Sequence, residues 1–275
     1  MRVLVTGGAG YLGSSLCHLL GELGGYETVV FDRRLDPSCE VSALTPSICN
    51  GFDAVVHLAG ISKAGDHSGR AMENIGEFKR LLFCAGARYL VLASTCALYG
   101  AGRNNELSPI VPNCEYSRSK IAMERLASSS GIVLRFGALC GESPQMRWDM
   151  AVNFMTRAAW ESNSLEVWGD NVRPYVHVKD AALAIVQALN SKASGIHNVV
   201  GWNMSTRRLS HSIACLVSYW TGRYVDVVDR IYRSDGRSFS VTSETNLFHP
   251  TMKLDDAVLG CLNVLARQGY QGCRS

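Results

Sequence analysis

The stretch Met1-Arg-Val-Leu-Val-Thr-Gly-Gly-Ala-Gly-Tyr-Leu-Gly-Ser14 decides the fold of this chain. A short apolar run from Val3 to Val5 meets a glycine-rich turn, and an amphipathic segment follows from Ser14 to about Leu23. Apolar residues that give way to glycine and then to helical periodicity predict a strand, a tight loop and a helix.

The three glycines of that turn each answer a separate steric need of a phosphate-binding loop. Gly7 lets the chain turn sharply off the strand, Gly10 lets the backbone approach a pyrophosphate, and Gly13 lets the helix pack closely on the strand. The helix N-terminus then directs N–H groups and the positive end of its dipole at the phosphates. The stretch therefore predicts a dinucleotide site.

An acid follows the turn at the distance that this kind of site requires. The apolar run Val29–Phe31 ends in Asp32, about 20 residues after the first glycines. A carboxylate there accepts hydrogen bonds from the adenosine ribose and repels a 2′-phosphate, which favours NAD over NADP. Arg33 and Arg34 could accept that phosphate instead, so NADP stays possible.

Composition excludes several classes of function. The chain has 275 residues, 47% of them hydrophobic and 19% charged, with a net charge of +3, and it contains no basic run that would bind nucleic acid. No apolar stretch approaches the roughly 20 residues that cross a membrane. The first strand begins at once, so we expect no signal peptide. The ten cysteines and seven histidines are dispersed without metal-ligand spacing, which predicts reduced thiols, no metal site and a cytoplasmic location.

Further apolar runs alternate with segments of helical periodicity. Continuous apolar runs are typical of strands covered on both faces, so the alternation predicts an α/β fold with a doubly wound parallel sheet. The predicted strands are 52–60, 89–95 and 132–136, with helices at 71–86 and 116–128 between them and a loop at 35–52.

The second half of the chain predicts interleaved pieces. We expect helices at 148–160, 181–189, 205–220 and 254–265, a strand at 165–168, a return to the main sheet at 175–178 and a strand at 197–200, with Ser205 or Thr206 as a helix cap. These pieces suggest a dinucleotide-binding domain made of 1–140 plus 174–200, and a small substrate lobe made of 141–173 plus 201–275.

Tyr116 and Lys120 lie four residues apart, which places them on one face of a predicted helix. A tyrosine is a poor acid or base near neutral pH, but an adjacent ammonium stabilises the phenolate. We therefore expect Tyr116 to act as general acid and base with Lys120 beside it. Thr95 ends a predicted strand, where its hydroxyl could bond the same substrate oxygen.

With these motifs in place, the chain resembles the extended short-chain dehydrogenases/reductases of the NAD-dependent epimerase/dehydratase type, which modify nucleotide sugars. The resemblance implies a Rossmann-type domain with a small interleaved C-terminal substrate lobe. It rests on segments spread over most of the chain: Thr6–Gly13, Asp32, Asp53–Ala59, Asn74–Gly76, Ser94–Gly100, Tyr116–Lys120, Leu134–Phe136 and Gly169–Asp180.

The resemblance assigns roles to these positions. Thr95, Tyr116 and Lys120 occupy the catalytic positions, with Lys120 also a ribose ligand. Tyr11 and Leu12 would give backbone contacts to the pyrophosphate, and the remaining residues that line the cofactor would be Leu58, Ala59, Gly60 and Asn74, with Glu40-Val41 near the adenine.

The substrate would be a nucleoside-diphosphate sugar. Arg173 matches the arginine that holds the diphosphate, Arg233 is a weaker match to a second one, and Asn153 could replace an asparagine that is missing after Arg135. The family further implies a homodimer through the helix that bears Tyr116.

The chain departs from the family immediately after Thr95. Dehydratases and decarboxylases of the family carry acids there, whereas this chain has Cys96 and Ala97. Without that carboxylate, elimination of water is disfavoured, and we expect a sugar-nucleotide 4-epimerase. An NAD(P)H-dependent reductase of 4-keto sugar nucleotides and a dinucleotide-binding module without turnover remain alternatives.

Overall fold

The computed structural model describes residues 1–61, 70–86, 88–127, 130–230, 237–245 and 247–269. Over this part of the chain the strands are β1 (Arg2–Thr6), β2 (Glu27–Phe31), β3 (Ala54–His57), β4 (Tyr89–Thr95), β5 (Gly102–Asn104), β6 (Gly131–Phe136), β7 (Ala138–Cys140), β8 (Ser164–Trp168), β9 (Val172–His177), β10 (Gly195–Val199), β11 (Trp202–Ser205), β12 (Asp226–Arg230) and β13 (Phe239–Val241).

The helices of the same ranges alternate with these strands. They are α1 (Tyr11–Leu23), α2 (Pro46–Cys49), α3 (Glu73–Ala85), α4 (Glu115–Ala127), α5 (Ala151–Ser162), α6 (Val178–Ser191), α7 (Thr206–Thr221) and α8 (Leu254–Arg267). The short α2 lies inside the stretch expected to be loop, where the Thr45 hydroxyl accepts from the Ile48 N–H at 3.3 Å. Ser205 caps α7 by accepting from the Arg208 N–H, as the sequence predicted.

Six strands form a parallel sheet in the order β10-β6-β4-β3-β1-β2. The order reverses at β1, because the chain moves outward through β2 on one side and through β3, β4, β6 and β10 on the other. The predicted doubly wound parallel sheet is therefore confirmed. Such a reversal leaves a crevice at the carboxyl ends of the strands, which is where ligands bind in open α/β sheets.

Segment 175–178 does not rejoin this sheet, so that expectation is wrong. It lies mainly in β9, which pairs in parallel with β7 and antiparallel with β11 in a separate three-stranded sheet. An apolar run shows that a strand is buried, but it does not show which sheet supplies its hydrogen bonds. The exact division between the two predicted lobes stays a prediction.

Apolar side chains cover both faces of the large sheet. On one face α1 and α6 contribute Leu16, Leu20 and Ile185. On the other face α3 and α4 contribute Phe78 and Met123. A further core joins α5, α7 and α8 beyond the sheet's carboxyl edge (Val152, Ile213, Leu262). No helix in the described ranges has the length and apolarity needed to cross a bilayer.

Two histidines are buried at the ends of strands, and each is held as a neutral imidazole. His57 Nδ1 lies 2.8 Å from the Thr6 hydroxyl, and His177 Nδ1 accepts from the Lys179 N–H that opens α6. Burial lowers the pKa of His57 to about 3, with the Lys120 charge acting in the same direction, and burial lowers the pKa of His177 to about 4.

These two histidines should make the fold sensitive to mild acid. Their pKa values lie below the ordinary value of about 6.5. Below about pH 6.5 the unfolded chain therefore binds more protons at these histidines than the native chain does. We expect the free energy of unfolding to fall between pH 7 and pH 5.5, by up to about 1.4 kcal/mol per histidine per pH unit. Urea unfolding at those pH values measures it, and equal midpoints and slopes throughout would contradict this prediction.

Candidate active site

The loop between β1 and α1 lies so close to the end of β3 that no side chain fits at Gly7. Gly7 has a φ of +75°, and a Cβ there would lie 2.5 Å from the backbone nitrogen of Ala59. A Cβ on Gly13 would collide with the Gly7 carbonyl oxygen. The loop is therefore held by backbone contact on both sides, which is the cradle that the sequence predicts for a pyrophosphate.

The N-terminus of α1 leaves its donors available. Gly10 is the cap residue and offers no side-chain hydrogen bond, and the first turn carries no acid. A bound diphosphate would supply both the acceptors and the negative charge that this helix end lacks. The donor set therefore fits the diphosphate of a dinucleotide.

Asp32 closes the adenosine side of the groove. Its Oδ2 accepts from the Ala9 N–H at 3.0 Å and its Oδ1 from the Arg34 N–H at 2.9 Å, with only 8% of the residue exposed. These bonds fix the carboxylate against the loop, and each oxygen keeps further acceptor capacity for ribose hydroxyls.

The two arginines after Asp32 border the same groove. Arg33 is exposed and lies 3.6 Å from the Glu40 carboxylate, while the Arg34 guanidinium donates to the Ala9 carbonyl at 3.3 Å. The groove wall also includes Glu40 and Val41, near the place expected for the adenine. Both arginines therefore have protein partners, which weakens the case for a 2′-phosphate site.

The wall opposite Asp32 is built after β3. Leu58, Ala59 and Gly60 line the groove. Asn74, at the start of α3, accepts from the Ile61 N–H at 2.9 Å and donates to the Ile61 carbonyl at 3.1 Å. With 2% exposure, Asn74 acts mainly by holding this wall in shape.

Thr95, Tyr116 and Lys120 converge at the carboxyl ends of β4 and β6. Thr95 is the last residue of β4, and its hydroxyl accepts from the Ala97 N–H at 3.1 Å. Tyr116 and Lys120 lie in the first two turns of α4, with the Lys120 ammonium 5.9 Å from the centre of the Tyr116 ring. Lys120 Nζ donates to the Ala93 carbonyl at 2.9 Å, which places it against β4.

The acid–base properties of this group differ from the expectation in one respect. Burial raises the pKa of Tyr116 to about 12, although the Arg147 charge and a hydrogen bond with Thr95 act in the opposite direction. Burial also lowers the pKa of Lys120 to about 8, opposed by Glu124. With that pKa the phenol is protonated at neutral pH, and positive charge beside it would lower the pKa.

The prediction that Asn153 contacts the substrate is wrong, because its amide group is used entirely within the protein. The residue is fully buried, its Oδ1 accepts from the Gly141 N–H at 2.9 Å, and its Nδ2 donates to the Tyr11 hydroxyl at 3.1 Å and to the Arg147 carbonyl at 3.0 Å. The Tyr11 hydroxyl in turn donates to the Gly141 carbonyl. Asn153 and the Tyr11 side chain join α5 to α1.

Arg173 and Arg233 are the two arginines predicted to hold the diphosphate. Arg173, in β9, donates from Nη1 to the Val172 and Arg237 carbonyls and lies over the Phe239 ring at 5.2 Å. Arg233 lies outside the described residues. A diphosphate role for either arginine stays a prediction.

Sequence reasoning missed two charged groups at this site. Glu124 forms a buried ion pair with Arg135 one helical turn after Lys120, and the i, i+4 spacing was the signal that could have found it. Arg147 reaches the surroundings of Tyr116 from the segment after β7, which no local pattern indicates. The described residues contain no group of three or more side chains that could hold a metal ion.

The chain is similar in sequence and in fold to known proteins. UDP-glucose 4-epimerase of Yersinia pestis is 27% identical over 262 residues, covering 72% of this chain and 76% of that protein. dTDP-glucose 4,6-dehydratase of Streptomyces niveus is 27% identical over 293 residues, covering 89% of this chain and 85% of that protein. The solved structure of MoeE5 in complex with UDP-glucose and NAD superimposes with a TM-score of 0.83, at 24% identity and 98% and 99% coverage.

A sequence profile of the NAD dependent epimerase/dehydratase family matches residues 3–201, which is most of the chain. The match includes the phosphate loop, Asp32, Thr95, Tyr116 and Lys120. The predictions of an enzyme, of NAD as its cofactor and of a Rossmann-type fold are thereby confirmed. The chain belongs to the NAD-dependent epimerase/dehydratase family of short-chain dehydrogenases/reductases, enzymes of nucleotide-sugar chemistry.

Proposed function

We propose that this protein is an NAD-dependent 4-epimerase of a nucleoside-diphosphate sugar. The observation that carries the proposal is the pair of residues after Thr95. Cys96 is buried with its thiol on the Arg135 carbonyl at 3.3 Å, and Ala97 has no functional group. Elimination of water requires an acid and a base at the sugar, and this position supplies neither. Hydride transfer with proton exchange at one hydroxyl needs only the groups that are present.

The chemistry assigns one task to each side chain. NAD, when bound, supplies a reversible hydride acceptor. Tyr116 removes the proton from the sugar hydroxyl during oxidation and returns it during reduction. Thr95 donates a hydrogen bond to the same oxygen, and Lys120 orients the ribose and stabilises the phenolate. The 4-keto sugar turns over between the two half-reactions, so the opposite face receives the hydride.

Relatives support this choice of substrate. UDP-glucose 4-epimerases recur among the similar proteins, and the MoeE5 structure contains UDP-glucose with NAD. Arg173 and Arg233 remain our candidates for the diphosphate, because a guanidinium can bind phosphate oxygens in pairs.

The purified enzyme should interconvert UDP-glucose and UDP-galactose without added NAD(P)H. Because the hydride returns to the sugar, the bound NAD is recycled and no net redox change occurs. Chromatography of the nucleotide sugars and absorbance at the wavelength of reduced nicotinamide measure the two quantities. Product formation that consumes added NAD(P)H stoichiometrically would identify a ketoreductase and contradict the proposal.

Tyr116→Phe should lower kcat by about 10²- to 10⁴-fold, the usual contribution of a general acid or base. NAD binding should survive, because the phenol hydroxyl is not needed to hold the dinucleotide in the groove. Tyr219→Phe is the matched control, since Tyr219 is 91% exposed on α7. Turnover within two-fold of the wild type in Tyr116→Phe would exclude Tyr116 as the acid–base group. If Tyr116→Phe left the biological activity unchanged, a dinucleotide-binding module without turnover would be favoured.

We further propose a homodimer that works in the cytoplasm. Support for the dimer comes from α3 and α4, which pack together and expose Phe83 at 77% and Leu126 at 37%. Support for the cytoplasm comes from the cysteines of the described ranges, all of which are free thiols.

Light scattering after size exclusion should give twice the 29.9 kDa of one chain. Phe83→Glu should shift the mass to that of the monomer, because it would place a charge in an apolar contact. Leu107→Glu is the control, since Leu107 is 86% exposed in a loop. A wild-type mass of one chain would contradict the dimer.

A further inference from the structure

Helix α4 carries a third ionisable residue in line with the two catalytic ones. Tyr116, Lys120 and Glu124 follow each other at intervals of four, so they share one face of the helix. That face is turned toward β4 and β6. Glu124 is 3% exposed and Lys120 is 6% exposed, so both charges are almost removed from water.

The Glu124 carboxylate binds the two strands that form the floor of the site. Its Oε1 accepts from the Ser94 hydroxyl at 2.5 Å, and its two oxygens receive the Arg135 guanidinium at distances down to 2.6 Å. Ser94 and Arg135 are register partners in the pairing of β4 with β6. Glu124 therefore fixes the helix against both strands one residue before Thr95.

The far side of Arg135 extends the same network. Arg135 Nη1 donates to the Tyr99 hydroxyl at 2.8 Å, and that hydroxyl donates to Asn198 Oδ1 at 2.9 Å. The network thus runs from the catalytic helix through β6 to β10. Each polar group named in it has a partner, as buried polar networks require.

Stability alone gives a weak reason for this arrangement. A buried ion pair is often no more stabilising than apolar residues of the same volume, because both ions lose their hydration. The position of the pair, beside Lys120 and next to Thr95, indicates a second role.

That role concerns the charge of Lys120. The groups that face Lys120 are the Ala93 carbonyl on β4, His57 at the end of β3, and Tyr116 and Glu124 on its own helix. His57 is neutral, because burial lowers its pKa to about 3. Glu124 is the carboxylate that raises the pKa of Lys120 against the effect of burial.

We propose that Glu124 is a positioning residue of the catalytic site, whose carboxylate, held by Ser94 and Arg135, keeps the Lys120 ammonium charged and the end of β4 in register with α4. The inference rests on the proposed function where turnover is the readout. It adds a positioning carboxylate to the face of α4 that carries Tyr116 and Lys120.

Glu124→Gln keeps the shape and can still accept from Ser94, but it removes the charge. The pKa of Lys120, about 8 in the wild type, should fall, both because Glu124 no longer opposes burial and because Arg135 is left without its counter-ion. A fall of about one unit would reduce the protonated fraction at pH 8 from about one half to about one tenth. We expect about five-fold lower kcat at pH 8, an earlier loss of activity as pH rises, and little change in KM.

Glu124→Gln could also unfold the protein, since it leaves Arg135 buried and unpaired. The double variant Glu124→Gln/Arg135→Met removes both charges and should recover the stability, measured by urea unfolding. Its alkaline limb should still lie below that of the wild type. A stable double variant with the wild-type pH profile would overturn the proposal, because a merely structural pair predicts that result.

Glu161→Gln is the matched control, since Glu161 forms a 2.7 Å i, i+4 pair with Arg157 on the surface of α5. It should leave the profile unchanged. NAD affinity measured between pH 7 and pH 9 gives a readout that does not need turnover. If the wild type does not epimerise its sugar nucleotide, the proposed function fails. Loss of NAD affinity at a lower pH in Glu124→Gln than in the wild type would still support the role of Glu124. Loss of NAD affinity at the same pH in both proteins would refute it.

Discussion

The close approach of two backbones, Gly7 and Ala59, is the constraint on which the site depends. A Cβ at Gly7 would lie 2.5 Å from the Ala59 nitrogen, so the loop after β1 can approach the end of β3 this closely only with glycine at that position. This contact directs the N-terminus of α1 into the crevice where the strand order reverses. Asp32 accepts from the Ala9 N–H of the same loop, which couples the acid predicted to bind the ribose to the turn predicted to bind phosphate.

Two buried polar clusters join this dinucleotide site to the rest of the chain. The Tyr11 hydroxyl bonds Gly141 and Asn153 across 130 and 142 residues of sequence, and Asn153 also bonds the Gly141 N–H. The buried ion pair of Glu124 and Arg135 joins helix α4 to the sheet. Removing one partner from such a cluster leaves a buried polar group unpaired, at a cost of about 1–3 kcal/mol or more for an ion. The relative placement of cofactor loop, catalytic helix and α5 is therefore specified by directional bonds as well as by apolar packing.

Features set by residues close together in the sequence could be predicted, and features set by residues far apart in the sequence could not. The placement of the glycine loop, Asp32 and the pair Tyr116 and Lys120 at one edge of the sheet could be predicted, because their spacing is set by the local geometry of strand, turn and helix. Asn153 could not, since its amide is saturated by Tyr11 and Gly141, which only the tertiary fold brings near it.

The sheet to which segment 175–178 belongs could not be predicted for the same reason. The run around Tyr175 is apolar whether it joins the large sheet or the small one, and its partners β7 and β11 are short strands with little alternation. Asn153 Nδ2 donates to the Arg147 carbonyl and helps to hold the segment between β7 and α5 from which Arg147 comes near Tyr116. Hydrogen bonds between residues far apart in the sequence decide these placements, and the periodicity of apolar residues in the sequence does not indicate such bonds.

The charges around Tyr116 decide when the phenol can act as a base. With a pKa of about 12, only about one molecule in 10⁵ is a phenolate at pH 7, and each pKa unit corresponds to about 1.4 kcal/mol. A positive charge about 4 Å away contributes about 4 kcal/mol at the effective dielectric typical of such sites, which is about three units.

Lys120 is 5.9 Å from the Tyr116 ring centre and bonded to Ala93, so it supplies less than this in the structure described. A second positive charge, such as an oxidised nicotinamide ring, would be needed to bring the phenol into the useful range. An oxidised nicotinamide ring bound beside Tyr116 would add such a charge and lower the pKa of the phenol. Under the proposed mechanism, deprotonation of the sugar by Tyr116 would then depend on the same group that accepts the hydride.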